Sequence, residues 1–162
     1  HKIKLASIED LISYRLKYEK LIIKKDTRSF YLKNFNKLIL HHYKSKLENN
    51  TNYAITKGKF NINSSIYVRV LSTQIKKNIF KNKKIFQSLR LLNKYKNFLL
   101  LIINKKGNSD NNNINTLRYY GIGAQIIKDL KIKNMILISR SKKKIIGLEG
   151  FGLKIKKQII IK

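Results

Sequence analysis

Six consecutive apolar residues, Phe98-Leu99-Leu100-Leu101-Ile102-Ile103, constrain this chain more than any other feature. Successive side chains of a strand point to opposite faces, so an unbroken apolar run reads as a strand buried on both. The run is far too short to cross a membrane, which takes about 20 apolar residues. The segments around it supply the cover. Lys83 to Tyr95 reads as a helix, with Phe86, Leu89 and Leu92 near helical spacing. Lys105 to Asn115 reads as a loop, because it holds Gly107 and three consecutive Asn. Arg118 to Leu130 reads as a helix, Asn134 to Ile138 as a strand, Lys142 to Leu148 as a short helix, and Leu153 to Ile161 as a last strand. Alternating strands and helices predict a βα-type layer.

The first half has a different texture. Ala6 to Lys20 reads as an amphipathic helix, capped by Ser7, with Asp10 three residues on. Leu21 to Lys24 reads as a short strand. Phe30-Tyr31-Leu32, Lys37 to Tyr43, Tyr53 to Thr56 and Ile66 to Leu71 are four more strand candidates, separated by Asn- and Ser-rich breaks. The expected fold is mixed α/β: an N-terminal helix and strand-rich half, followed by the βα-type layer. With 162 residues, 43% of them apolar, the chain can build one core, so 1–162 is expected to form a single domain.

Composition narrows the chemistry. Cys is absent, which excludes disulfides, thiol catalysis and thiolate metal sites, and is compatible with a cytoplasmic protein. The opening residues His1-Lys2-Ile3-Lys4 lack a secretory pattern and an initiator Met, as in a fragment, a processed form or a domain of a longer chain. Lys and Arg number 37 against 8 Asp and Glu, a net charge of +29. Such a charge suits a polyanion partner such as nucleic acid. The same composition, rich in Lys, Asn and Ile and without Pro or Trp, also follows from AT-rich codons without selection for binding. The charge is spread along the chain rather than gathered in a tail, which disfavours nucleic acid.

The sharpest motif is Thr116 to Leu130, TLRYYGIGAQIIKDL, followed by KIKNMILISRSKKKIIGLEGFGLKI from Lys131 to Ile155. In order and spacing these resemble the closing portion of GTP cyclohydrolase II of riboflavin biosynthesis. YVRVLS, Tyr67 to Ser72, resembles that family's strand opening the GTP-binding loop. His1 to Ile22 resembles the junction in bifunctional proteins that fuse dihydroxybutanone phosphate synthase to the cyclohydrolase.

The resemblance implies an enzyme that opens the guanine ring of GTP and releases formate and pyrophosphate. It implies Mg²⁺, a homodimer, and a Zn²⁺ held by three Cys, whose bound water is acidified to about pKa 7. This sequence departs from that pattern. The first Cys position is Gln74, and the stretch expected to hold the others is the shortened Lys81 to Phe86. His41 and His42 cannot easily substitute, because strand neighbours point to opposite faces. The family's general base corresponds to Thr116, which cannot take a proton at neutral pH. The catalytic Arg survives as Arg118. The phosphate loop corresponds to Lys106-Gly107-Asn108, without its Glu and Arg. Candidate GTP contacts remain at Arg69, Ser72, Ser139 and Lys144.

The resulting expectation is a degenerate, non-catalytic domain that needs neither Zn²⁺ nor Mg²⁺, with GTP and a dihydroxybutanone phosphate synthase domain as candidate partners. The alternatives are an active GTP cyclohydrolase II and a basic nucleic-acid-binding protein. Gly121, Gly123, Gly147, Gly150 and Gly152 are read as preserving turns.

Overall fold

The computed structural model describes residues 14, 18–46, 50–61, 64–75, 78–105, 113–142 and 151–161, with the backbone alone for 113–117. Its strands are β1 (Ile22–Phe30), β2 (Leu38–Ser45), β3 (Thr51–Lys57), β4 (Ser65–Thr73), β5 (Phe98–Asn104), β6 (Asn134–Ser139) and β7 (Lys154–Ile160). Two helices, α1 (Lys83–Leu92) and α2 (Asn113–Asp129), and a 3-10 turn at Ile79–Lys81 complete the described elements. The strands form one mixed sheet in the order β1-β2-β3-β5-β4-β6-β7. Strands β1, β2, β3 and β5 pair antiparallel, and β4 pairs parallel with both β5 and β6, as β6 does with β7. The fold is therefore mixed α/β, a strand-rich half joined to a βα layer.

The apolar run is the central strand. Every residue from Phe98 to Ile103 is buried. Leu99, Leu101 and Ile103 pack with Ile122, Ala124, Ile126 and Ile127 of α2 on one face. Phe98, Leu100 and Ile102 pack with Ile85, Leu89 and Leu92 of α1 on the other. The helices lie on opposite faces because the chain leaves β4 for β5 in one direction and returns past β4 to reach β6, and parallel crossovers keep one hand.

Several boundaries differ from expectation. Leu21 to Lys24 and Phe30 to Leu32 are not two strands: Ile22 to Phe30 is continuous, with Tyr31 and Leu32 outside it. Strand β1 is an edge, so its polar residues from Lys24 to Ser29 face water and hide the period of two. Helix α1 stops at Leu92, where Asn93 caps it. Tyr95 instead stacks on Tyr67 of β4, with ring centroids 3.7 Å apart. Helix α2 begins at Asn113, inside the expected loop.

Gly121 and Gly123 are helical and buried, so they make no turn. A Cβ on Gly123 would lie 3.4 Å from Leu101, so its lack of a side chain lets α2 sit close on the sheet. Gly152 does take a positive φ, 71°. Gly147 and Gly150, the expected helix from Lys142 to Leu148 and most of the expected helix from Ala6 to Lys20 lie outside the described residues. Within the last of these, Tyr14 and Tyr18 are helical. Just beyond, Gln125 of α2 holds the backbone of the segment, donating to the Glu19 carbonyl at 2.7 Å and accepting from Leu21 N at 2.9 Å.

Candidate functional site

The parallel half of the sheet creates a cleft. From β4 the chain passes to β5 on one side, and from β6 to β7 on the other. Adjacent strands that send the chain in opposite directions leave a crevice outside their C-terminal ends. Register shows where it opens. Strands β4 and β6 are paired from Ser65–Asn134 to Val68–Leu137. Beyond that, β4 continues with β5 to Thr73–Asn104, and β6 with β7 to Ser139–Ile160. The strands part after Val68 and Leu137, and the wedge holds a cavity of about 470 Å³. Helix α1 closes one side.

Arg69, Ser72, Lys84, Ser88, Ser139 and Arg140 supply the cavity's main polar groups. Arg69 is 6% exposed and donates through Nε to Ser88 Oγ at 3.0 Å. Burial lowers its pKa, and the neighbouring charge of Arg140 lowers it further. A guanidinium nevertheless stays protonated. Ser139 Oγ donates to the Ser141 carbonyl at 2.7 Å. No Asp or Glu among the described residues lines the cavity.

Three of the sequence candidates, Arg69, Ser72 and Ser139, thus meet in one place. Arg118 does not line the cavity: it lies on α2, which packs on the opposite face of the sheet. Thr116 lies in the α2 backbone with its side chain outside the described residues, and Lys144 is outside them too. Lys84, Ser88 and Arg140 were not among the candidates. Arg140 was legible as the neighbour of Ser139, but Ser88 emerges only once α1 is laid against β4.

The region matched to the zinc site has a different donor chemistry. Gln74 is exposed just after β4. Lys81 to Phe86 forms the end of the 3-10 turn and the start of α1, with the Asn82 side chain accepting from Lys84 N and Ile85 N. Amides and ammonium groups do not fit Zn²⁺, which takes thiolate, imidazole or carboxylate. The two histidines are engaged elsewhere. His41 is buried between Thr27 and Thr56, and His42 Nδ1 lies 2.6 Å from Asp26 Oδ1. Among the described residues no three His, Cys, Asp or Glu gather at one point. No helix among them is long and apolar enough to cross a membrane.

Residues 87–160 match the family model of GTP cyclohydrolase II. The riboflavin biosynthesis protein RibBA of Aquifex aeolicus (strain VF5) is 29% identical over 194 residues, covering 100% of this chain and 47% of its own length. A 3,4-dihydroxy-2-butanone 4-phosphate synthase of Sulfurospirillum multivorans is 33% identical over 160 residues, covering 96% of this chain and 42% of its own. The crystal structure of RibBX, a two-domain 3,4-dihydroxy-2-butanone 4-phosphate synthase from A. baumannii, shares the fold. It has a TM-score of 0.70 at 23% identity, covering 95% of this chain and 45% of that one. The chain spans about half the length of the curated relatives it matches. With the motifs and the sheet that carries them, these likenesses mark the chain as GTP cyclohydrolase II-like over residues 87–160, consistent with a shortened form of that domain.

Proposed function

We propose that the chain is a non-catalytic GTP cyclohydrolase II-like domain of riboflavin biosynthesis, which serves beside a dihydroxybutanone phosphate synthase domain. The observation that carries this is the chemistry of the site. The zinc position is held by Gln74, the base position by Thr116, and the described residues of the cleft between β4 and β6 offer cations and hydroxyls without a carboxylate. No described residue of the cleft can activate water at neutral pH in the way a metal or a general base would.

Alignment length supports the same reading. The A. aeolicus RibBA stretch needs 194 positions to cover this chain, whereas the S. multivorans protein, named for the synthase alone, needs 160. A stretch as short as this one is thus carried by a relative whose name claims no cyclohydrolase. On this reading the whole chain is one domain, cytoplasmic and homodimeric, and its role is to stabilise or assemble the synthase. Arg69, Ser72, Ser139 and Lys144 are what remains of the GTP contacts, with Arg118 as the retained catalytic-position residue. The basic charge then reflects composition, and the comparisons lend the nucleic-acid alternative no support.

The test is formate release from GTP by the folded chain with Mg²⁺ and added Zn²⁺. The expected result is no release above a protein-free blank. Release that disappears in Arg118→Ala would overturn the reading.

A further inference from the structure

We propose that the groove past the C-terminal end of α2, beside the segment that resembles the bifunctional junction, is the surface on which a dihydroxybutanone phosphate synthase domain docks. The proposal rests on the non-catalytic reading above and names the surface that would hold its partner.

Two cavities make the groove. One, of about 310 Å³, lies between Tyr18 to Lys20 and the end of α2. The other, of about 430 Å³, lies between Lys131 to Lys133 and Gly152 to Leu153. They share Lys128 and Phe151, so they form one continuous trough. Its floor is apolar: Ile22, Ile132 and Leu153 are buried there, and Phe151 is half-buried. Its rim carries both signs of charge, Glu19 and Asp129 standing among Lys20 and Lys128. At the junction end Tyr14 and Tyr18 are 61% and 64% exposed, with ring centroids 4.5 Å apart. Aromatic residues of this kind are enriched in protein interfaces, where they act as anchors. The residues from Lys131 to Lys133 lead into β6, while the cleft opens at its far end. A partner in the trough therefore leaves the cleft open.

Charge and tethering choose the occupant. Residues 1–22 hold 5 Lys and Arg against 3 Asp and Glu, while residues 23–162 hold 32 against 5. The junction is thus the near-neutral part of a strongly basic chain, where another protein surface meets the least repulsion. A second copy brings its own excess of 29 positive charges and must arrive from solution. A synthase domain joined through the junction is already close: a short linker holds it at an effective concentration on the order of 1 mM, so a modest patch suffices to dock it. The junction also leaves the fold in a fixed place. Gln125 bonds the backbone on both sides of Lys20, and the Leu21 carbonyl accepts from Lys46 N at 2.8 Å. Tyr18 to Lys20 are thereby laid along the trough, and Gln125 is a positioning residue for whatever the junction carries.

The experiment joins the synthase domain of the S. multivorans relative ahead of His1 and compares amide hydrogen exchange in the two-domain chain with that in this chain alone. Synthase turnover certifies that the joined domain is folded. Exchange in 128–133 and 151–154 is expected to slow about tenfold in the two-domain chain. Tyr14→Ser with Tyr18→Ser is expected to abolish that slowing, and Lys128→Glu to weaken it, while the melting temperature of this chain alone stays within about 2 °C. Unslowed exchange beside an active synthase domain would overturn the proposal. So would slowing confined to 139–141 at the cleft, or slowing that survives the double Tyr substitution. Slowing of the same segments in this chain alone, on raising its concentration about a hundredfold, would put a second copy in the trough and overturn it too. Formate release from GTP would end the non-catalytic reading without altering any of these exchange rates.

Discussion

His41 carries the clearest dependence of stability on pH. Its Nδ1 lies 3.2 Å from Thr27 Oγ1 and its Nε2 3.0 Å from Thr56 Oγ1, and two hydroxyls suit a neutral ring with one donor and one acceptor. Burial, reinforced by Lys24 and opposed by Asp129, lowers its pKa from 6.5 to about 4. The unfolded chain therefore takes up this proton first. The stabilisation is complete above pH 6.5 and is lost as pH falls through 4. With solvent screening at the ring edge it amounts to about 2 kcal/mol. Urea midpoints at pH 7.5 and 4 should show this loss, and His41→Gln should flatten it; equal losses in both proteins would sink the assignment. Lys131 is a second special position. It ends α2 at φ 59°, its N–H bonded to the Lys128 carbonyl and the next N–H to that of Ile127. This left-handed cap strains any side chain but glycine, so Lys131→Gly should raise stability by about 0.5–1 kcal/mol in the same denaturation assay.

The turn after β3 depends on Gly58, which sits at φ 81° where the chain passes under the loop before β5. A Cβ there would strike the Asn97 side chain and come within 2.8 Å of the Lys96 carbonyl. Gly58→Ala should therefore cost about 2 kcal/mol or more, seen as a lower melting temperature; an unchanged midpoint would mean the turn can rearrange. How legible each element was follows from its surroundings. Strand β5 was plain because burial on both faces leaves an uninterrupted apolar run. Strands β2, β3 and β4 were found to within two residues at each end, since both faces of each keep buried positions. Strand β1 was split because it is an edge whose middle is Lys, Asp, Thr and Arg. The end of α1 was misplaced because a stack between Tyr67 and Tyr95, residues far apart in sequence, decides it. Such contacts leave no periodic trace.

The cleft was half legible for a related reason. Arg69, Ser72 and Ser139 stand in motifs, but Lys84, Ser88 and Arg140 join them only through the parting of β4 from β6. Arg118 stands in a motif as well, yet the fold carries it to the other face of the sheet. Around this cleft the whole molecule holds an excess of 29 positive charges. Its ion pairs among the described residues centre on Asp26, with Arg28 and His42, and on Asp129, 3.9 Å from Lys24. With 8 acidic residues against 37 basic ones, most basic residues have no carboxylate of their own to pair with, and compactness is opposed by self-repulsion. That repulsion is long-ranged in dilute buffer, while at 1 M salt the screening length shrinks to about 3 Å. Raising NaCl from 20 mM to 0.5 M should therefore stabilise the chain by about 1–2 kcal/mol, a rise of roughly 3–6 °C in melting temperature for a protein of this size. Sucrose, which favours burial without screening charge, separates the two effects. A melting temperature that is flat or falling with NaCl would mean the fold spaces its charges well enough to tolerate them.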